Sequence, residues 1–266
     1  MIEPGLALLV PEVPAWGTAI LLLAGLAGAF VTTAFGAGGG VLLLAVLPVF
    51  LPVAAVIPVH GVLQAGSNGL RTGLLFRHIR WPLLLAFTGG GLVGTAIGAS
   101  VFVRLPESWL ELVLGGFILW ICWGPRPRIR RRSLAVIGAG GAVTGALTLF
   151  VGATGPFVAA LLGALGLERH AHMGTFSACM LLQHALKIGA FGVLGFAFTP
   201  WMPFIVAMFL AAAVGTWLGR CVLGRMGDAR FHRVLAVILT LLALRLVVSG
   251  MLGVTAAADA ATVVGA

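Results

Sequence analysis

Charged side chains are scarce in this sequence. Only 9% of its 266 residues are Asp, Glu, Lys or Arg, whereas 61% are hydrophobic. A soluble domain carries about 25% charged and 45–50% apolar residues. A soluble globule of this size could not bury so much apolar surface, so the composition excludes a cytosolic enzyme. A spanning helix takes about 20 apolar residues, which leaves room for roughly eight to ten hydrophobic segments.

Acidic residues and cysteines are scarcer still. All seven acids lie at the ends of apolar segments or in the tails, so a carboxylate proton relay inside the membrane is not expected. Cys122, Cys179 and Cys221 lie in apolar stretches and are interpreted as inert buried thiols. The chain has no Ser-His-Asp or HExxH pattern, no nucleotide-binding Gly-Lys-Ser or Gly-Lys-Thr sequence, and no clear metal-ligand cluster. We therefore expect no enzyme activity, no cofactor and no resident metal.

Pro, Gly and Arg divide the chain into ten apolar segments. These are predicted near 15–34, 40–52, 55–76, 81–103, 107–123, 134–152, 156–167, 173–197, 201–222 and 231–253. The second and seventh segments reach only about 20 Å, short of a hydrocarbon core about 30 Å thick. Each of these two follows a glycine-rich break, at 35–40 and at 151–156. We therefore expect a glycine-broken helix or a re-entrant hairpin at each break.

The distribution of basic residues predicts how the segments cross the membrane. The linker 126–133 contains five arginines and is assigned to the cytoplasm by the positive-inside rule. Counted from this linker, the basic loops at 77–80 and 220–233 also lie inside. Both chain termini and the uncharged loop at 198–201 then lie outside. The net charge of +9 is mostly that of these loops, so no nucleic-acid partner is expected.

The two halves of the chain correspond to each other under a shift of 116 residues. The shift places Gly36, Ala37 and Gly39 on Gly152, Ala153 and Gly155, Ser67 on Gln183, Asn68 on His184, and Arg71 on Lys187. With a few residues inserted, Trp81 meets Trp201, and Gly94-Thr95 meets Gly215-Thr216. The crossing pattern starts the first half outside and the second half inside. The repeats are therefore predicted to be inverted.

These patterns together predict an all-α polytopic membrane protein of two inverted repeats, with about four spanning helices in each. The first repeat covers 1–125, the basic linker 126–133, the second repeat 134–254, and a short tail 255–266. Each repeat contains one of the glycine breaks. Inverted repeats with interrupted helices are typical of secondary transporters, whose substrate binds near the middle of the membrane.

Three basic residues lie inside predicted spans, where a charge is costly and usually functional. They are Arg71, Lys187 and Arg245. Helical spacing places Arg71 on one face with His60, Gln64, Ser67 and Asn68, and Lys187 on one face with Ser177, Met180, Gln183 and His184. The two polar faces are predicted to line a cavity. In the alternative reading, Arg71 and Lys187 extend to the membrane interface. Arg245 is interpreted chiefly as a hydrogen-bond donor to loop carbonyls.

The glycine breaks add backbone donors to this picture. The two short helices are predicted to begin at Gly40 and Pro156, and a helix start presents unpaired N–H groups with a partial positive charge. Together with the basic residues this predicts an anion site. Its candidate residues are Arg71, Lys187, Asn68, His184, Gln64, Gln183, His60, Gly36, Gly38, Gly39, Gly40, Gly152, Thr154 and Gly155. The alternative is that the glycines only permit close helix packing.

Several motifs resemble one known family. They are GAFVTTAFGAGGGVLLLAVLPVFLP, NGLRTGLLFRHIRW and GGGLVGTAIGASVFVRLPE in the first half, then GALTLFVGATGP and GTWLGRCVLGRM in the second. Their order resembles the TauE/SafE family of sulfite exporters over nearly the whole chain. The resemblance implies outward transport of sulfur-containing anions, such as sulfite or organosulfonates, across a bacterial inner membrane. In that membrane the crossing pattern predicted from the basic residues makes both termini periplasmic. The chain has Arg80-Trp81 where the family often has Asp-Trp, and Thr154-Gly155-Pro156 where it has three glycines.

The leading hypothesis is a secondary transporter or permease for small anions that works by alternating access. Its expected partners are a small anion and the lipid bilayer, and a homodimer is left open. One alternative is a membrane factor that helps to assemble or reduce another complex, which in a thiol-relay form needs two facing cysteines. The other is a metal-cation permease that would use His60 and His184.

Overall fold

The computed structural model describes residues 9–10, 13–35, 39–102, 106–125, 133–222 and 228–264, and its regular structure is helical. Over these ranges the helices are α1 (Ala15–Phe35), α2 (Gly39–Val46), α3 (Val53–Leu74), α4 (Trp81–Phe102), α5 (Glu107–Trp123), α6 (Leu134–Val151), α7 (Gly155–Gly163), α8 (Arg169–Val193), α9 (Met202–Val222) and α10 (Asp228–Val264). Short 3-10 turns occupy Leu47–Val49, Phe76–His78 and Thr199–Trp201. No strand occurs within the described ranges. The predicted all-α class is confirmed.

Six stretches of helix in the described part are long and apolar enough to cross a membrane. They are Ala15–Thr33, Trp81–Phe102, Leu134–Val151, His170–Val193, Thr199–Gly219 and Leu239–Ala256. The helices α3 and α5 are not among these six. The helix α3 has 22 residues, but it carries the polar face that includes His60 and Arg71. The helix α5 has only 17 residues. The helices α2 and α7 have 8 and 9 residues. At 1.5 Å per residue both are too short to span.

The helix boundaries agree with most of the predicted segments to within a few residues. The helix α8 begins and ends about four residues earlier than predicted. Its start is set by Glu168, whose carboxylate accepts hydrogen bonds from the backbone N–H of His170 at 3.2 Å and from its ring at 2.9 Å. These bonds hold the pKa of Glu168 below its usual value, the ring contributing most. The helix α10 continues through Val264 because the stretch after Gly253 is rich in alanine, the best helix former.

The helices group into two compact units, neither of them continuous along the chain. The first unit contains α1, α2, α5, α10 and the part of α9 from Leu210 onward. The second unit contains α4, α6, α7, α8 and the part of α3 from Ile57 onward. Each unit therefore takes helices from both predicted repeats. The repeat boundaries, and the inverted relation between the repeats, stay predictions from the sequence.

Within the second unit, α4 and α6 pack through small residues. A Cβ atom built at Gly94 would collide with the carbonyl of Ala142, and one at Gly98 would lie 2.9 Å from the Cα of Ala146. The contact is reciprocal, because a Cβ at Gly145 would lie 2.7 Å from the carbonyl oxygen of Gly91. Backbones this close are typical of small-residue packing between membrane helices.

Within the first unit, α9 packs against α1 in a similar way. A Cβ atom at Gly215 would collide with the carbonyl of Leu26, and one at Gly219 would lie 2.8 Å from that of Phe30. The sequence correspondence pairs Gly215 with Gly94, and the 116-residue shift pairs Leu26 with Ala142. The two close contacts therefore involve corresponding positions of the two halves of the chain.

Candidate functional site

The helix α8 carries a polar face that is fully enclosed by protein. Gln183 is 1% exposed, and Ser177, His184 and Lys187 are each 0% exposed. The faces of α8 beside this one are apolar and pack in a core that includes Ala178. Polar residues of this kind are seldom fully buried without partners, so their contacts define a candidate site.

Lys187 reaches the glycine break that separates α6 from α7. Its Nζ atom donates a hydrogen bond of 3.1 Å to the carbonyl oxygen of Gly152. Gly152 ends α6 with a φ of +72°, a left-handed conformation that glycine adopts without the cost of a Cβ. Within the described part of the chain, Lys187 forms no ion pair with a carboxylate. The buried amino group of Lys187 therefore lies beside one carbonyl oxygen, and no carboxylate of the described residues pairs with it.

The side chain of Lys187 also passes over α3. A Cβ atom built at Gly61 would lie 2.8 Å from the Cε atom of Lys187, so glycine at this position leaves room for the lysine. The neighbouring residue on α3, His60, is 0% exposed. Its ring centroid lies 6.2 Å from that of His184, with the two rings near perpendicular at 77°. The helices α3 and α8 thus bring two histidines and a lysine into one cluster.

Gln183 ties α8 to the same glycine break. Its Nε2 atom donates to the carbonyl oxygen of Thr144 at 2.6 Å and to the Oγ1 atom of Thr154 at 2.8 Å. Thr154 is the N-cap residue of α7, but its side chain makes no capping hydrogen bond. The Thr154 hydroxyl therefore accepts a hydrogen bond from the amide of Gln183 and does not cap α7, which begins at the next residue.

Four side-chain atoms of this cluster are buried without a hydrogen-bond partner among the described residues. They are Nδ1 and Nε2 of His184, Oε1 of Gln183 and Oγ1 of Thr148. Each buried polar atom left unpaired costs about 1–3 kcal/mol, so such atoms in native proteins contact water or a ligand. The cluster is thus suited to a small polar ligand. In the described part, no three His, Cys, Asp or Glu residues are placed to hold a metal ion.

The other predicted site residues lie in several places. Asn68 donates to the carbonyl oxygen of Gln64 at 2.8 Å, within α3, and Arg71 is half-buried in the last turn of that helix. Gly36 and Gly38 lie outside the described residues. Gly39 and Gly40 open α2, one residue earlier than predicted. The structure brings Lys187 to Gly152, Gln183 to Thr154 and His60 to His184. The hydrogen bond from Asn68 to Gln64 stays within α3.

The glycines of the two breaks differ in what they do. A Cβ atom at Gly39 would collide with the carbonyl of Gly28 on α1, so this glycine permits close packing, as the alternative reading held. Gly155 opens α7, and a Cβ there would lie 3.8 Å from the Phe176 ring, an ordinary contact. Arg245 donates to the carbonyl oxygen of Pro48 at 3.3 Å in the first unit, which confirms its predicted part as a donor to a loop carbonyl.

Three residues of the cluster were missed from the sequence, namely Gly61, Thr144 and Thr148. Thr144 and Thr148 precede Gly152 by eight and four residues, so all three lie on one face of α6. This spacing could have indicated them. Gly61 offered no such signal, because only the packing of α3 on α8 shows that the lysine passes over it.

A polytopic helical protein with an unneutralised basic residue buried beside a broken helix has the features of a membrane transporter. Residues 21–246 match the sequence pattern of the family described as "Sulfite exporter TauE/SafE". That match spans most of the chain, and the protein belongs to the TauE/SafE family. The resemblance seen in the sequence motifs is thereby confirmed.

A curated relative agrees with this assignment. The chain is 26% identical over 168 residues to the "Probable inner membrane transporter protein TsaS" of Comamonas testosteroni. The matched region covers 60% of this chain and 70% of the relative. The comparison with solved structures gave no match.

Proposed function

We propose that the protein is a secondary transporter, an exporter or permease, of small sulfur-containing anions such as sulfite or organosulfonates. The family description supports the sulfur chemistry, and the name of the relative, a probable inner membrane transporter, supports a place in the inner membrane. The basic linker 126–133 would then face the cytoplasm and both termini the periplasm. The protein would move its substrate by alternating access and would catalyse no covalent chemistry.

The observation that carries this proposal is the burial of Lys187 without an acid. An ammonium removed from water loses several kcal/mol of solvation even after the protein relaxes. One bond to the carbonyl of Gly152 satisfies one of its three N–H donors and leaves its charge unneutralised. A bound anion would supply both the missing charge and the missing acceptors. The oxygens of a sulfur oxyanion suit this purpose, since charge-assisted hydrogen bonds are the stronger ones.

The remaining candidates extend the proposed site along α3. Arg71, Asn68 and Gln64 share a helix with His60 and are offered as contacts that the anion makes during its passage. The sequence correspondence of Arg71 with Lys187 supports this, because the substrate site of a transporter with inverted repeats lies where the two repeats meet. Gly36, Gly38, Gly39 and Gly40 stay candidates on the same sequence argument.

The test is a thermal-shift screen of the detergent-purified protein with sulfite, sulfate, methanesulfonate, a carboxylate and Ni²⁺. A ligand at 100 times its dissociation constant stabilises a protein by about 2.7 kcal/mol. We expect one sulfur oxyanion to stabilise the wild type, and the effect to be lost in Lys187→Met. Arg245→Met is the matched control, because it removes an intramembrane basic residue of the first unit. Proteoliposomes loaded with the stabilising anion should release it only with wild type or control.

Unchanged stabilisation of Lys187→Met would overturn the assignment of the site. Stabilisation by Ni²⁺ alone, lost on replacing His60 and His184, would favour the cation permease. If no anion stabilises the protein, and its cellular function is lost when the cysteines are replaced, the assembly factor would be favoured. Replacement of Cys122, Cys179 and Cys221 by Ala separates that last outcome from the others.

A further inference from the structure

We infer that His184 is the proton-binding residue of the anion site, and that it takes up a proton when an anion binds beside Lys187. The inference rests on the proposed function and names its coupling ion. It makes the transporter one in which an anion and a proton occupy the central cluster together.

The position of His184 carries the argument. Its ring is 0% exposed, and neither ring nitrogen has a hydrogen-bond partner among the described residues. His184 precedes Lys187 by three residues, so the two side chains lie on the same face of α8. A neutral imidazole offers one donor and one acceptor, whereas a protonated one offers two donors. An anion beside Lys187 is an acceptor with several oxygens, and it therefore favours the protonated ring.

Among the residues that the structure describes, Lys187 is the one charged side chain that faces His184. The helices α4, α6 and α7 pack against α8, and none of the three contains an Asp, Glu, His, Cys, Lys or Arg. From α3 the facing group is His60, and from α8 itself it is Lys187. The turn Phe76–His78 also packs on α8, but its His78 ring lies 5.2 Å from that of His170. His170 lies about 21 Å along α8 from His184, so this pair of histidines is remote from the cluster.

Cys179 is the remaining buried titratable group near the middle of α8, and it packs in an apolar core. Within the described ranges, a proton on His184 would therefore face Lys187 and another histidine but no acid, and it is disfavoured while no anion is present. A bound anion reverses this balance. Proton binding and anion binding thus strengthen each other, and the two effects must be equal by thermodynamic linkage. The proton also reduces the charge that the anion carries through the membrane.

The experiment measures proton uptake when sulfate or methanesulfonate binds to the full-length protein in detergent. These two anions do not titrate near neutral pH, so any proton taken up must go to the protein. Calorimetric titrations in two buffers of different ionisation enthalpy give the number of protons bound per anion. We expect uptake by the wild type, with the anion affinity rising by up to about tenfold for each unit of falling pH.

The variant His184→Gln keeps a polar side chain that cannot titrate in this range. We expect it to bind the anion more weakly than the wild type does, since His184 lies in the anion site, and to lose the proton uptake and the pH dependence of that binding. His184→Asn serves as a second variant if the first does not fold. The matched control is His172→Gln on the same helix, whose ring stacks on Phe176 at a centroid distance of 6.5 Å. This control should keep the uptake.

The outcomes are distinguishable. Uptake that persists in the folded His184 variants would move the proton to Lys187 or His60 and overturn the inference. Anion binding to the wild type without uptake would overturn the inference and leave the proposed function standing. If no anion of the thermal-shift panel, sulfite included, binds to the wild type, the proposed function fails and the inference fails with it.

Discussion

The amino group of Lys187 donates a 3.1 Å hydrogen bond to the carbonyl oxygen of Gly152, the left-handed glycine that ends α6. This bond joins a basic residue of one helix to the backbone break at the end of another. Gln183, one turn earlier on α8, reaches Thr154 on the far side of the same break. The break is therefore held by α8 at two points.

The first prediction concerns the room that Gly61 leaves for Lys187. In Gly61→Ala the new methyl group would lie 2.8 Å from the lysine Cε atom. A flexible side chain can shift to avoid it, so folding should be retained while the ammonium moves away from Gly152. We expect the anion affinity to fall by about three- to tenfold, which corresponds to roughly 1 kcal/mol. The measurement is a titration of the anion identified in the thermal-shift screen.

The control for this prediction is Gly73→Ala on the same helix, where a Cβ atom would meet no atom within 4 Å. It should bind the anion as the wild type does. Equal affinities for the Gly61 and Gly73 variants would mean that the position of the lysine stem does not matter for binding.

The second prediction concerns the bond between Gln183 and Thr154. Gln183→Met keeps the length of the side chain but removes the amide that bonds Thr144 and Thr154. We expect it to lower the free energy of unfolding by about 1–3 kcal/mol, since buried acceptors lose their donor. Thr154→Val, which is close to isosteric, should cost less. Measured by thermal unfolding in detergent, the two changes should be less than additive by about 1 kcal/mol. Strict additivity would show that this bond contributes nothing.

The third prediction concerns the close packing of corresponding helix pairs in the two units. Gly94→Ala would press a methyl group against the backbone of Ala142, and Gly215→Ala would press one against that of Leu26. Backbone cannot move aside as a side chain can, so each change should lower the free energy of unfolding by about 1–3 kcal/mol or more. Gly89→Ala on α4 is the control, because a Cβ there would meet nothing within 4 Å. A Gly94 variant as stable as this control would contradict the packing described for α4 and α6.

Much of the fold could be predicted from the sequence, because hydrophobic runs and their glycine and proline boundaries are local signals. The 13-residue run 40–52 and the 12-residue run 156–167 were predicted to be too short to span, and the corresponding helices have 8 and 9 residues. The length of α10 was underestimated because its last turns contain alanine, which helices and loops both use. The grouping of the helices into two discontinuous units could not be predicted, since it depends on contacts between distant segments.

Within the site, the sequence identified Lys187, His184, Gln183 and Thr154 but not their partners. Helical spacing places residues on a face and says nothing of what that face touches. That Gln183 would meet Thr154, and that Lys187 would pass over Gly61, depended on the approach of α3 and α6 to α8.

By itself the sequence determined that this is a helical membrane protein with two glycine breaks and few charges inside its spans. Each segment carries this information separately, because exposing polar backbone or a charge to lipid is costly wherever it occurs. It also carried the motifs of the TauE/SafE family. Only the tertiary structure decided that Lys187 is buried beside Gly152 and pairs with no carboxylate of the described residues. The reason is physical: burial and hydrogen bonding depend on which helices pack together, and that packing follows from contacts between small residues on helices far apart in the chain.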